Sequence, residues 1–300
     1  MSGMHSHGDH GMHDRRLLAV ALALIVGFMV AEVVVGLLAD SLALLADAGH
    51  MLTDAAALGL AVVASWAASL PARGRFTFGF GRAEILAAQA NGVTLGVIAL
   101  VILVEAALRL AHPPDVDAPV VAATAAAGIV VNGIVLAVLA RARRESLNVR
   151  GAYLHLATDL AAFVGTLVAA LLIVATGWDR FDPAASVAIA ALMLFAAWSL
   201  VRESGRIFLE GAPTSAPPSE VGRAIASHAG VVDTHDLHVW TVTSGFPALS
   251  AHVLVEPGAD CHRIRLELEA MLSERFGLEH TTLQVEHVGV GRGLAIRRLS

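Results

Sequence analysis

Six long apolar segments occupy the first two thirds of the chain. They cover approximately residues 17–38, 41–68, 84–111, 118–140, 150–176 and 184–204. A helix needs about 20 mostly apolar residues to cross the hydrocarbon core of a bilayer. Hydrophobic residues make up 56% of the 300 residues, which is more than the roughly 45 to 50% usual in soluble domains. The segments therefore predict an all-α membrane domain of six transmembrane helices.

The distribution of arginine predicts how this domain is oriented. Cytoplasmic loops of membrane proteins carry an excess of arginine and lysine. Only Arg109 and Arg180 flank the segments on one side. The other side carries Arg15, Arg16, Arg73, Arg75, Arg82, Arg141, Arg143, Arg144, Arg150, Arg202 and Arg206. We therefore expect a multi-pass protein of the cell (cytoplasmic) membrane with both termini in the cytoplasm.

The C-terminal part of the sequence is different in character. A linker rich in proline and serine, GAPTSAPPSE, occupies residues 211–220. Runs rich in β-branched residues at 233–244, 248–256 and 281–288 predict strands, and 218–229 and 260–276 predict helices. The order αββαβ predicts a small α+β domain of the ferredoxin-like type.

The sequence thus predicts three parts. Residues 1–14 hold His5, His7, His10 and His13 among glycines, and we expect a disordered arm that either collects metal ions or acts as a spacer. Residues 15–210 form the six-span transmembrane domain, and residues 211–300 form the cytoplasmic ferredoxin-like domain.

The pattern His-x-x-x-Asp occurs twice inside the apolar segments. HMLTD spans residues 50–54 and HLATD spans residues 155–159. Positions i and i+4 lie on one face of a helix, so each pair points the same way. A single buried histidine is often only a packing residue with a hydrogen-bond partner, whereas ionisable groups at bilayer depth indicate function. If the two helices face each other, the pairs offer four metal ligands: His50, Asp54, His155 and Asp159.

The chemistry of this set favours zinc. Imidazole nitrogen with carboxylate oxygen in a set of four suits Zn²⁺, and Co²⁺ and Cd²⁺ are plausible substitutes. Cys261 is the only cysteine, which excludes an internal disulfide and a thiolate cluster. Asp47 is either an acceptor that orients the His50 imidazole or a partner in a helix–helix hydrogen bond. No basic patch with interleaved aromatic residues indicates nucleic acid as a partner.

Several longer motifs resemble the cation diffusion facilitator family. They are SLALLADAGHMLTD (41–54), FTFGFGRAEILAA (76–88), HLATD (155–159), HDLHVWTVTSG (235–245) and LSAHVLVE (249–256). The resemblance covers nearly the whole chain. It implies a homodimeric, six-span metal/proton antiporter with a cytoplasmic ferredoxin-like domain. It also implies a transport site on the second and fifth spans, at the same four residues.

The resemblance implies a second metal site in the cytoplasmic domain. Residues matching His235, His252 and Glu286 help to bind regulatory zinc at the cytoplasmic dimer interface of similar proteins. The alternative is that these are ordinary surface residues of a soluble domain. Some family members have an accessory metal site in the loop after the second span, but RGRFTFGFGR (73–82) lacks those ligands, so we expect no metal there.

We therefore predict a zinc efflux transporter that works by alternating access, as a Zn²⁺/H⁺ antiporter, and that is not an enzyme. Zinc would be both the transported substrate and a regulatory ligand. The expected partners are the lipid bilayer, divalent metal ions, protons and a second copy of the chain. The alternative is an intramembrane zinc-dependent hydrolase, which needs an open coordination position and a general base. The H-E-x-x-H signature of such enzymes is missing.

Overall fold

The computed structural model describes residues 6–38, 42–111, 118–142 and 146–289. Within these ranges the side chains of 6–13, 32, 35–38, 42–50, 53 and 111 lie outside the description. The chain divides into two compact units, Met1–Gly205 and Arg206–Ser300.

In the described residues, six helices begin in the first unit, in the order that the apolar segments predict. Four of them, the third to the sixth, are long and apolar enough within the described residues to cross a membrane. Asp54–Ala68 adds a shorter apolar stretch of the second helix. The helices are α1 (Ser6–Leu38), α2 (Leu42–Ala68), α3 (Arg82–Ala111), α4 (Ala118–Leu139), α5 (Leu147–Thr176) and α6 (Phe181–Phe208). The predicted helical membrane domain is confirmed.

The beginning of α1 differs from the expectation for the N-terminal arm. α1 begins at Ser6, so the backbone of residues 6–14 is helical where the sequence predicts disorder. Extending an existing helix costs far less than nucleating one, and the apolar segment that follows supplies the nucleus. Residues 1–5 of the arm lie outside the described residues.

Small residues and apolar side chains fill the spaces between the helices. α1 packs against α2 and α4, and α5 packs against α2, α3 and α4. Leu18, Ile25, Leu58, Leu139 and Leu156 are at most 1% exposed in one cluster. Polar contacts add to this packing, because Arg150 of α5 donates to Glu203 and to Ser199 Oγ (3.3 Å) of α6. Ser204 of α6 donates to Gln89 of α3.

Up to residue 289, where its description ends, the second unit contains a three-stranded sheet and two helices. Its elements are α7 (Pro218–Ala226), β1 (Val231–Thr243), β2 (Phe246–Val255), α8 (Cys261–Phe276) and β3 (His280–His287). The sheet order is β1-β2-β3, with β1 antiparallel to β2 and β2 parallel to β3. The predicted order αββαβ and the α+β class are confirmed.

Local sequence signals fix the ends of α8. The Asp260 carboxylate accepts hydrogen bonds from the backbone N–H groups of His262 and Arg263, both at 3.1 Å. Gly277 ends the helix with φ 67°, a left-handed conformation that glycine adopts without strain. Ile264, Leu268 and Leu272 of α8 are then buried against the sheet.

Gly128 of α4 provides a test of the helix packing. A Cβ atom at this position would lie 2.4 Å from Phe163 Cε1 and 2.7 Å from Phe163 Cγ on α5, so the whole ring would have to move. We expect Gly128→Ala to destabilise the protein by about 1–3 kcal/mol, the usual cost of overpacking. The measurement is the thermal unfolding midpoint of the purified protein in detergent. Gly133→Ala on the same helix is the control, because a Cβ there meets nothing within 4 Å; equal midpoints for the two variants would contradict the expectation.

Candidate metal centre

Three of the four predicted membrane ligands meet between α2 and α5. His155 Nε2 lies 3.3 Å from Asp54 Oδ1 and 3.7 Å from Asp159 Oδ2. One ligand atom from each residue lies within 4.8 Å of the other two. We call Asp54, His155 and Asp159 the membrane cluster. Asp54 and His155 are 101 residues apart in the sequence and lie on different helices, as the prediction of two facing pairs requires.

The membrane cluster is almost completely shielded from solvent. Asp54 is 2% exposed, His155 6% and Asp159 5%. Nδ1 of His155 has no hydrogen-bond partner among the described residues. Two carboxylates in such an environment are costly unless cations or protons compensate their charge. A divalent cation supplies that compensation and takes nitrogen and oxygen ligands of this kind.

The local sequence explains why these side chains converge. His155 and Asp159 are one turn apart on α5 and therefore share a face. The hydroxyl of Thr158, beside Asp159, donates a hydrogen bond to the backbone oxygen of His155 (2.7 Å). This hydroxyl therefore has its partner within α5. Met51, Ala55 and Leu58, which lie within one turn of Asp54 on α2, are buried in an apolar cluster. Apolar side chains thus cover the flanks of the cluster and leave its polar atoms facing one another.

His50, the fourth predicted ligand, falls on α2 among the residues whose side chains lie outside the description, as does Asp47. Its backbone position is one turn before Asp54 on the same helix. Its part in the metal centre stays a prediction.

In the second unit the structure brings together two of the three predicted ligands. His235 of β1 and His252 of β2 are register partners, and their rings stack with centroids 5.3 Å apart. Glu286 lies on β3 opposite Leu254, and its carboxylate accepts a hydrogen bond from Gln284. Among the described residues of this unit, the ligand atoms of these three do not gather within 4.8 Å as those of the membrane cluster do.

Asp236 is a residue of this region that sequence reasoning missed. It sits in an irregularity of β1 between His235 and His238, with φ 52°. Its carboxylate lies 3.0 Å from His238 Nε2 and 3.8 Å from His252 Nε2. The alternation of Asp and His in DTHDLH (233–238) was the available signal. The irregularity that turns Asp236 toward His252 cannot be read from that alternation.

Comparison with known proteins agrees with this architecture. Residues 18–209 match the family described as cation efflux transmembrane domain, and residues 216–288 match the family described as cation efflux protein, cytoplasmic domain. The chain belongs to the cation efflux family, as the motifs indicated. It is accordingly a multi-pass membrane transporter that exports divalent metal cations, and nothing in the comparisons supports the hydrolase alternative.

Relatives extend over nearly the whole chain. The metal cation efflux system protein CzcD of Cupriavidus metallidurans is 40% identical over 95% of this chain and 90% of its own. The zinc transporter ZitB of Escherichia coli is 39% identical, over 94% and 92% respectively. The cadmium, cobalt and zinc/H(+)-K(+) antiporter of Bacillus subtilis is 37% identical, over 94% and 91%. A solved metal-bound C-terminal domain of CzcD is 36% identical and covers 24% of this chain and 99% of its own, with a TM-score of 0.23.

The membrane cluster predicts the effect of removing one carboxylate. We expect Asp54→Asn and Asp159→Asn each to weaken metal binding in the membrane domain by more than about 100-fold. Changes to residues that only support the ligands already cost up to about 100-fold in metal affinity, and loss of a ligand costs more. Titration of the purified full-length protein with Co²⁺, followed by its visible absorption, should show one fewer tight site per chain. Asp182→Asn, in the first turn of α6, is the control and should keep the full number. Unchanged Co²⁺ binding in both cluster variants would contradict the assignment.

Proposed function

We propose that this protein exports zinc across the cytoplasmic membrane as a homodimeric Zn²⁺/H⁺ antiporter. The observation that carries the proposal is the buried Asp54, His155 and Asp159 cluster between two helices of the membrane domain. In this proposal residues 15–210 carry out transport and residues 211–300 regulate it.

The ligand chemistry supports zinc as the substrate. One imidazole and two carboxylates, joined by the predicted His50, give two nitrogen and two oxygen ligands, a set typical of tetrahedral Zn²⁺. Relatives are named as transporters of zinc, and of cadmium and cobalt besides. Those ions accept similar ligands, so we expect Zn²⁺ to be preferred and Cd²⁺ and Co²⁺ to compete with it.

The placement of the ligands supports alternating access. They come from two different helices, so a movement of α2 relative to α5 separates Asp54 from His155 and Asp159. Transporters of many folds bind their substrate near the middle of the membrane and expose it to one side at a time. The excess of arginine at one end of the helices supports a cytoplasmic location of that end, and in this proposal export proceeds from there.

Charge balance supports coupling to protons. With neutral imidazoles the two carboxylates contribute −2, which one Zn²⁺ or two protons neutralise. An uncompensated charge inside the membrane is costly, so the carrier returns either loaded or protonated. Metal binding requires deprotonated ligands, and zinc and protons therefore compete.

A pH titration tests this competition. Protons displace zinc as the pH falls, so the affinity of the membrane cluster for zinc should decrease from pH 7.5 to pH 5.5, by up to about 100-fold for each competing proton. In liposomes that hold a zinc dye and a pH dye, a proton gradient should drive zinc movement, and a zinc gradient should drive protons the opposite way. Zinc flux that ignores the pH gradient and moves no protons would contradict the coupling.

We also propose that His235, His252 and Glu286 bind regulatory zinc at the dimer interface. Support comes from the stacked pair His235 and His252 and from the nearby carboxylate of Asp236. Since Glu286 does not join this pair within one chain, a second chain or water would complete the coordination.

The dimer provides the test of that second site. We expect His235→Ala/His252→Ala in the full-length protein to remove the zinc-dependent strengthening of the dimer and to lower transport by about 5–150-fold, the range of typical coupling energies. The dimer dissociation constant is measured by light scattering with and without zinc. His228→Ala/His280→Ala is the matched double control in the same unit. A zinc-strengthened dimer in the His235/His252 variant would refute the regulatory site.

A further inference from the structure

Asn148 of α5 is a buried polar residue that the membrane cluster does not use. Its side chain is 0% exposed. Its amide nitrogen donates to the backbone oxygen of Ala61 on α2 at 2.7 Å. Its amide oxygen, Oδ1, has no hydrogen-bond partner among the described residues. Buried acceptors normally have a partner, in the protein or beyond it, because leaving one unpaired costs free energy.

Asn148 bridges the same two helices that hold the membrane cluster. Ala61 follows Asp54 by seven residues on α2, and Asn148 precedes His155 by seven residues on α5. Seven residues are about two helical turns and about 10 Å along the axis. The contacts Asp54–His155 and Ala61–Asn148 therefore lie on the same faces of two antiparallel helices, one above the other.

Further polar groups lie beyond Asn148, toward the helix ends that the arginine distribution predicts to be cytoplasmic. Ser146, directly before α5, donates to Glu84 Oε2 at 2.8 Å. Glu84 also hydrogen-bonds Ser65, which is 6% exposed and lies one turn beyond Ala61 on α2. Oxygen-bearing side chains thus lie between these helix ends and Asn148, and the membrane cluster follows about two helical turns further on.

The other buried asparagines lack this combination. Asn132 of α4 also has an unpartnered Oδ1, but its nitrogen donates to Gly128 within its own helix (3.2 Å). The unpartnered atom of Asn91 is its nitrogen, a donor that repels cations. Among the buried asparagines that the structure describes, only Asn148 has both an unpartnered oxygen and a hydrogen bond that links the two ligand-bearing helices.

We propose that Asn148 Oδ1 is a transient binding site for the divalent cation on its route from the cytoplasm to the membrane cluster. This inference rests on the proposed transport function. A neutral amide oxygen attracts a partly hydrated cation without the full charge of a carboxylate. It therefore holds the ion weakly enough to release it, as a conduction pathway requires. The bond from the amide nitrogen to Ala61 holds the Asn148 side chain against α2.

Two substitutions of nearly the same shape test this site. Asn148→Leu removes the oxygen ligand and should lower the maximum rate of zinc transport by about tenfold while zinc affinity at the membrane cluster changes little. Asn148→Asp turns the weak site into a strong one. In an Asp159→Ala background, it should bind one more Zn²⁺ per chain than Asp159→Ala alone, measured by equilibrium dialysis of the full-length protein.

The design separates the cation site from a purely structural role. Leucine and an ionised aspartate both lose the hydrogen bond to Ala61, so a role limited to that bond predicts equal losses and no additional zinc. Asn132→Asp in the same Asp159→Ala background is the matched control and should add no zinc. Absence of the additional zinc in Asn148→Asp would overturn the proposal. If that variant fails to insert, a wild-type maximum rate in Asn148→Leu would overturn it.

Failure of the transport function itself would look different. It would appear as zinc flux in Asp159→Ala equal to that of the wild type, whatever residue occupies position 148.

Discussion

The energetic cost of charge inside a membrane is the constraint on which this protein depends. Asp54, His155 and Asp159 are each at most 6% exposed, in helices made mostly of apolar residues. Such groups are tolerated only where they compensate one another or bind a cation. The need for compensation fixes α2 against α5. It also means that a site without a metal ion needs protons to compensate its two carboxylates, whereas a site with a divalent cation does not. This difference is a physical basis for exchanging one kind of cation for another.

Close helix packing makes this arrangement of polar groups possible. Gly128 lets α4 approach Phe163 of α5 closely. Alanines such as Ala61 and Ala152 are buried, at 0% and 2% exposed. Without a hydrophobic driving force between helices in lipid, small residues allow the contacts that hold membrane bundles together. Two hydrogen bonds then link specific helices: Asn148 to Ala61 links α5 to α2, and Arg150 to Glu203 links α5 to α6.

Much of this organisation was predictable from the sequence because it depends on local periodicity. The length of the apolar segments predicts the helices, and the spacing of His155 and Asp159 predicts their common face. The irregularity that turns Asp236 toward His252 was not predictable, because it arises from the pairing of β1 with β2. Asn148 carries no motif, and its importance depends on Ala61, which is 87 residues away. The helical start of α1 was not predictable from the glycine-rich composition of residues 6–14.

The contacts of Arg150 have a mechanical consequence. Arg150 precedes His155 by five residues on α5 and is bound to Glu203 and Ser199 of α6, while Ser204 of α6 is bound to Gln89 of α3. A rotation of α5 that carried His155 away from Asp54 would have to take α6 and α3 with it or break these bonds. These bonds therefore favour a movement in which α3, α5 and α6 turn together.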